Sequence, residues 1–250
     1  MTKLTNAKIV VLGGGSGIGL AAAGAMAELG GEVIIAGRNA ARIAAAVART
    51  GGRVRGDTVD ATSAGALRAF YGRIGPFHHL VLALSGAGGA GPLAELTTEA
   101  LRQGCEAKLF AHVTAAREAL ATLAGDGSIT FVSAGSARSW LPGTAGLAAI
   151  NGAIEAMVRP LAAELRPRRV NAVSPGVIET SWWDAVPEPQ RSATLARLAE
   201  QSFVGRNGRP EEAAAAIVYV VTNGFVTGSV LEVDGGLRFA AGGAALAART

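Results

Sequence analysis

Short apolar runs alternate along the chain with longer, Ala-rich stretches in which apolar side chains recur at helical spacing. The runs Lys8–Leu12 (KIVVL), Glu32–Ala36 (EVIIA), Arg53–Val59, His79–Leu84 (HLVLAL), Ser128–Ser133 (SITFVS), Val170–Val173 and Val230–Val233 predict seven strands. Ile18–Leu29, Ala40–Arg49, Ala64–Ile74, Thr98–Leu123, Gly143–Leu165 and Pro210–Val221 predict helices, the last opening with Pro210, Glu211 and Glu212 as a helix N-terminus prefers. Strands that are apolar throughout are buried on both faces, so the alternation predicts a doubly wound α/β fold, a mainly parallel sheet with helices on either side. One stretch breaks the rhythm: 177–208 carries Trp182, Trp183, Pro187 and Pro189 after a strand end, and reads as a mobile substrate lid. The tail after Gly236, rich in Ala and Gly, reads as poorly ordered. No repeat or linker divides the chain, so residues 1–250 read as one domain.

Composition narrows the function more than the fold. A net charge of +4 comes mostly from singly placed Arg, with no basic block, so neither a nucleic-acid nor a membrane patch is expected. The single cysteine, Cys105, excludes an internal disulfide and a Cys-based zinc site, and reads as a small buried apolar side chain. No His or acidic cluster suggests another metal. The opening apolar run is too short for a secretion signal, and no stretch spans a bilayer, which leads us to expect a soluble cytoplasmic protein.

Between the first strand and first helix, Gly13, Gly17 and Gly19 form GxxxGxG. Glycines there allow a tight turn and close approach of a pyrophosphate, whose charge the helix N-terminus favours. Among 35 glycines such a motif arises by chance, and its place between strand and helix gives it weight. The second strand ends in Gly37-Arg38-Asn39, without the acid that binds a ribose 2′-hydroxyl; the Arg38 guanidinium can instead pair with a 2′-phosphate. NADP(H) is therefore the expected cofactor.

LGGGSGIG at Leu12–Gly19 resembles the TGxxxGIG of the short-chain dehydrogenase/reductase family, with Leu12 in place of Thr. Asp60-Ala61 is similar to the family's acidic residue after the third strand, RVNAVSPGVIET (Arg169–Thr180) to its sixth strand and PG turn, and GSVLEVDGG (Gly228–Gly236) to its seventh strand. The resemblance covers nearly the whole chain. It implies a sheet ordered 3-2-1-4-5-6-7, a homodimer or homotetramer, and a cofactor held by Gly13, Gly15, Ser16, Gly17, Ile18 and Gly19. It also implies Asp60 and Ala61 at the adenine, Pro175, Gly176 and Ile178 at the nicotinamide, and Thr180 near the carboxamide or a phosphate.

The family's catalytic pattern is missing. Its members donate a proton from a Tyr whose pKa a Lys four residues on lowers, helped by a Ser and an Asn. Those positions hold Leu147, Asn151, Ala134 and Lys108, and Ser133 and Ser136 flank the third. Tyr71 and Tyr219 fall on helices away from the expected pocket. Lys108 and Asn151 read as an exchange of the family's Asn and Lys, with Lys108 as candidate proton donor and the two serines as weaker polarising groups. His78 and His79 are expected to face solvent, and His112 either the pocket or, as the favoured reading, a subunit interface. Trp140, Leu141, Leu147, Trp182 and Trp183 suggest an apolar pocket. Two functions remain open: an NADP(H)-dependent oxidoreductase with a non-standard site, reducing a carbonyl or imine of an apolar or aromatic small molecule, or a catalytically silent NADP(H)-binding protein acting as sensor or partner subunit.

Overall fold

The computed structural model describes residues 3–86 and 88–240. Seven strands, β1 (Lys8–Leu12), β2 (Glu32–Gly37), β3 (Arg55–Thr58), β4 (Phe77–Leu82), β5 (Leu123–Val132), β6 (Arg169–Pro175) and β7 (Val230–Val233), form one all-parallel sheet in the order β3-β2-β1-β4-β5-β6-β7. Alternate residues of each strand point to opposite faces. Val10, Leu12, Leu80, Leu82, Ile129 and Phe131 pack beneath α3 (Ala64–Ile74) and the helices on that side. Ile9, Val11, Val33, Ile35, Val81 and Val173 pack beneath α1 (Gly17–Glu28) and α8 (Pro210–Thr222). The direction of winding reverses between the neighbours β1 and β4, which opens a crevice beyond their carboxyl ends.

Four elements differ from the sequence expectation. The single helix expected over Thr98–Leu123 is broken into α4 (Thr98–Gly104), a π-helical stretch (Cys105–Phe110) and α5 (Ala111–Ala119). β5 then starts at Leu123, because Leu123 pairs with Phe77 at the start of β4. β4 itself lies earlier than expected, so Ala83 and Leu84 turn out of the sheet over the glycine loop. A Cβ on Gly13 would stand 2.3 Å from the Ala83 carbonyl oxygen, and Gly13 takes φ +82°. The stretch 177–208 is not irregular throughout: it contains a short 3₁₀ turn (Ser181–Ala185) and α7 (Gln190–Gln201). Only Leu198 of α7 is buried, too little for an apolar stripe. Between α5 and α7, α6 (Ala145–Glu164) follows β5, while α2 (Ala40–Arg49) covers the far edge. Most of the Ala- and Gly-rich tail, residues 241–250, lies outside the described residues.

The histidines sit differently from expectation. His78 is exposed and accepts the Lys8 N–H, but His79 is largely buried with its Nδ1 2.9 Å from the Ser128 hydroxyl. Burial, and then Arg169, push the His79 pKa down to about 4. His112 faces neither pocket nor surface. It is fully buried, its ring nitrogens 2.7 Å from the Lys108 carbonyl and 3.0 Å from that of Leu82. Burial, then the Lys108 charge, lower its pKa to about 4, so the ring is neutral and donates to only one of the two. Cys105, in the π-helical stretch, is half-buried rather than fully buried.

Candidate functional site

The crevice is a cavity of about 960 Å³, ample for a cofactor and a small substrate. Every cofactor and catalytic candidate read from the sequence lines it, from Gly13, Gly15, Ser16, Gly17, Ile18 and Gly19 at one end to Lys108, Ser133, Ser136 and Asn151 at the other. Arg38, Asp60 and Ala61 lie at the glycine end. Pro175, Gly176, Ile178 and Thr180 cross between the ends. Of the aromatic candidates, Trp182 and Trp183 line the cavity and Trp140 does not.

The glycine end is built for an anion. Helices α2, α3 and α4 are capped by the side chains of Asn39, Ser63 and Thr97, whereas Ser16 makes no such bond at α1. The first amides of α1 are therefore left for a ligand. A Cβ on Gly19 would meet the Gly13 carbonyl at 2.4 Å, so the loop folds tightly only with glycine at this position. Thr180 packs across Gly17, the methyl 3.2 Å from where a Cβ would stand, and joins the PG turn to the loop. Arg38 precedes the N-cap of α2 and is exposed to the cavity; Arg42, in the first turn of α2, also lines it. Sequence reading missed Arg42, although a second Arg in the first turn of the helix after Arg38 was the available signal. Asp60 accepts from the Thr62 amide and hydroxyl, and these bonds, with a smaller effect from Arg38, hold its carboxyl below the ordinary range.

The other end of the cavity is lined by Lys108 and Leu147. Leu147 lines the cavity, while Tyr71 is buried against the Ala115 carbonyl and Tyr219 is exposed on α8. Lys108 enters from the π-helical stretch, 8% exposed, and its Nζ donates to the Ser133 carbonyl at 3.0 Å. Burial pushes its pKa down from 10.5 to about 8, and the charge of Glu155 opposes that shift. Asn151, on α6, donates to the Ser136 hydroxyl at 3.1 Å and to the Leu147 carbonyl at 2.9 Å. Its own carbonyl oxygen is buried without a partner, as is the hydroxyl of Ser139, which also lines the cavity. Buried polar atoms of this kind ordinarily find a partner, and here a bound ligand would supply it. Ser136 accepts from Asn151, whereas the Ser133 hydroxyl is committed to Glu155 at 2.8 Å. Glu155 was also missed by sequence reading. It follows Asn151 by four on the same face of α6, a spacing that aims both inward.

Sheet order, glycine loop and crevice define a Rossmann-type protein shaped to hold a dinucleotide. The family comparison narrows this: the chain belongs to the short-chain dehydrogenase/reductase family. A family model described as enoyl-(acyl carrier protein) reductase matches residues 13–238. A short-chain dehydrogenase/reductase of Stachybotrys chlorohalonatus is 30% identical over 251 residues, covering 94% of this chain and 98% of the relative. Among solved structures, an NADPH-bound short chain oxidoreductase from Pseudomonas aeruginosa, described as containing an atypical catalytic center, is 31% identical with a TM-score of 0.86, covering 95% of this chain and 98% of the other. The reductase/Diels-Alderase MalC of Malbranchea aurantiaca is 26% identical with a TM-score of 0.85, covering 94% and 98%. Among the described residues no helix is long and apolar enough to cross a membrane.

Proposed function

We propose that the protein is an NADP(H)-dependent oxidoreductase in which the Lys108 ammonium replaces the family's tyrosine as proton donor, reducing a carbonyl or imine of an apolar or aromatic small molecule. The observation that carries this reading is a buried ammonium whose pKa of about 8 suits proton transfer near neutral pH, on the wall of a cavity that carries cofactor-binding features at its other end. Arg38 and Arg42 would pair with the 2′-phosphate, and the free amides of α1 with the pyrophosphate. Asn151 would offer its unpartnered carbonyl to a ribose hydroxyl, completing with Lys108 the exchange read from the sequence. NADPH, when bound, supplies the hydride.

The chain's own part is then simple. Ser136 donates a hydrogen bond to the substrate oxygen, and Leu141, Leu147, Trp182 and Trp183 exclude water around it. Lys108 passes one proton to that oxygen as the carbon accepts the hydride, giving an alcohol and a neutral amine that regains its proton from solvent. An iminium substrate needs no proton at this step and gives an amine directly. Residues 177–208 act as the lid, and the exposed Phe110 and Val113 contribute to a homodimer or homotetramer contact.

The test is NADPH consumption against a panel of ketones, imines and quinones. Turnover of any of them by the wild type, lost for ketones in Lys108→Met, is expected. NADPH binding with no consumption across the panel would favour the silent binding protein instead, a reading to which Leu147 in the tyrosine position lends weight. Lid closure is checked separately by hydrogen exchange. Amides of α7 and of Ser181–Ala185 should gain protection with NADPH and substrate; unchanged protection would make the segment structural.

A further inference from the structure

Ser133, the residue after β5, holds two opposite charges at once. Its carbonyl accepts from the Lys108 ammonium at 3.0 Å, and its hydroxyl donates to Glu155 Oε1 at 2.8 Å. The side chain of Glu155 is 6% exposed, and its second oxygen accepts from Arg138 Nε at 2.9 Å. Beyond Arg138 the charges continue in alternation. Arg138 also pairs with Glu232 on β7, Glu232 with Arg238 at 3.2 Å, and Arg238 with Asp234. Three carboxylates and two guanidinia leave this chain of pairs one negative charge in excess. The Lys108 ammonium is the charge that balances it.

We propose that Glu155 is a positioning residue for Lys108, fixing the ammonium at the cavity wall through Ser133 and keeping it protonated at neutral pH. The proposal rests on the reading of Lys108 as proton donor, and gives that site the counter-ion it otherwise lacks. Burial drives a lysine toward its neutral form, and an opposite charge nearby reverses that drive. From α5, His112 packs beside the lysine and is neutral above about pH 4. From α6 the charge is Glu155. Arg138 lies behind that carboxylate, where Glu232 offsets its charge.

The chain has three lysines, Lys3, Lys8 and Lys108, so NMR of protein labelled at the lysine side chains can follow Lys108 directly, with Lys108→Met identifying its signal. The titration is run without cofactor or substrate. Glu155→Gln should lower the Lys108 midpoint by about one unit, the low end for opposite charges that are near but not in contact, while Glu155→Asp recovers most of it. Arg138→Gln, at a half-exposed position that tolerates change, should move the midpoint the other way by releasing Glu155 from its partner. The pH at which ketone reduction falls to half should follow the same two directions. A Lys108 midpoint that stays put in both Glu155→Gln and Arg138→Gln overturns the proposal, and Arg138→Gln keeps the test alive if Glu155→Gln does not fold. Midpoints that move while Lys108→Met keeps full ketone reduction would support the coupling and instead overturn Lys108 as the proton donor.

Discussion

Lys108→Met is expected to lower kcat for ketone reduction by about 10²- to 10⁴-fold, the range that a positioned general acid contributes. Methionine keeps much of the lysine's length and apolar stem, and Glu155 retains Ser133 and Arg138 as partners, so the fold should persist. The pH profile carries the sharper signature. With its pKa lowered to about 8, Lys108 is the ammonium below that pH and the amine above it. Reduction should be level through neutrality and fall as pH rises through about 8; in the reverse, oxidative direction the amine is the base, and the rate should rise through the same pH. An iminium substrate should show neither this limb nor the loss in Lys108→Met, because it already carries its charge. Steady-state rates for one ketone and one iminium, wild type against variant, check all of this. Ketone reduction in Lys108→Met at the wild-type rate would remove Lys108 from the chemistry.

The second large effect concerns the cofactor. Arg38→Ala should raise the Kd for NADPH by roughly ten- to a hundredfold, as expected for a charge-assisted contact of about 1.5–3 kcal/mol, while changing NADH little. Arg42→Ala should act in the same direction and more weakly, because part of its stem packs against Gly15. Both side chains are exposed, which favours the lower end of the range. Fluorescence titration of both cofactors against wild type and each variant gives the comparison. Equal wild-type affinities for NADPH and NADH would sink the assignment of these arginines to a 2′-phosphate.

Sequence made the sheet legible because its strands are buried on both faces. KIVVL and EVIIA cannot sit elsewhere without exposing apolar side chains, and the glycines between Leu12 and Leu20 mark where the first strand hands over to its helix. The family resemblance supplied the strand order, which no local pattern encodes. The features that stayed hidden did so for physical reasons. Helix α7 buries one residue, so its polar sequence between two prolines and a serine looks like a loop. The break after Gly104 depends on one extra residue per turn, which leaves no mark on composition. His112 looks amphipathic in sequence, and only the packing of α5 on β4 reveals that carbonyls surround it. Glu155 sits in an Ala-rich helix, where a lone acid resembles a solubilising residue until Ser133 and Arg138 close around it.

The π-helical stretch at Cys105–Phe110 makes this cavity wall sensitive to chain length as well as to side-chain identity. Each residue advances a helix by about 100°, so an extra residue within one turn re-phases the downstream turns against the upstream ones. Removing one residue between Gly104 and Lys108 would restore an uninterrupted helix and turn position 108 by about 100° relative to the helix before it. A single in-frame codon gained or lost here thus changes which side chain faces the cavity at this point, which no point substitution mimics.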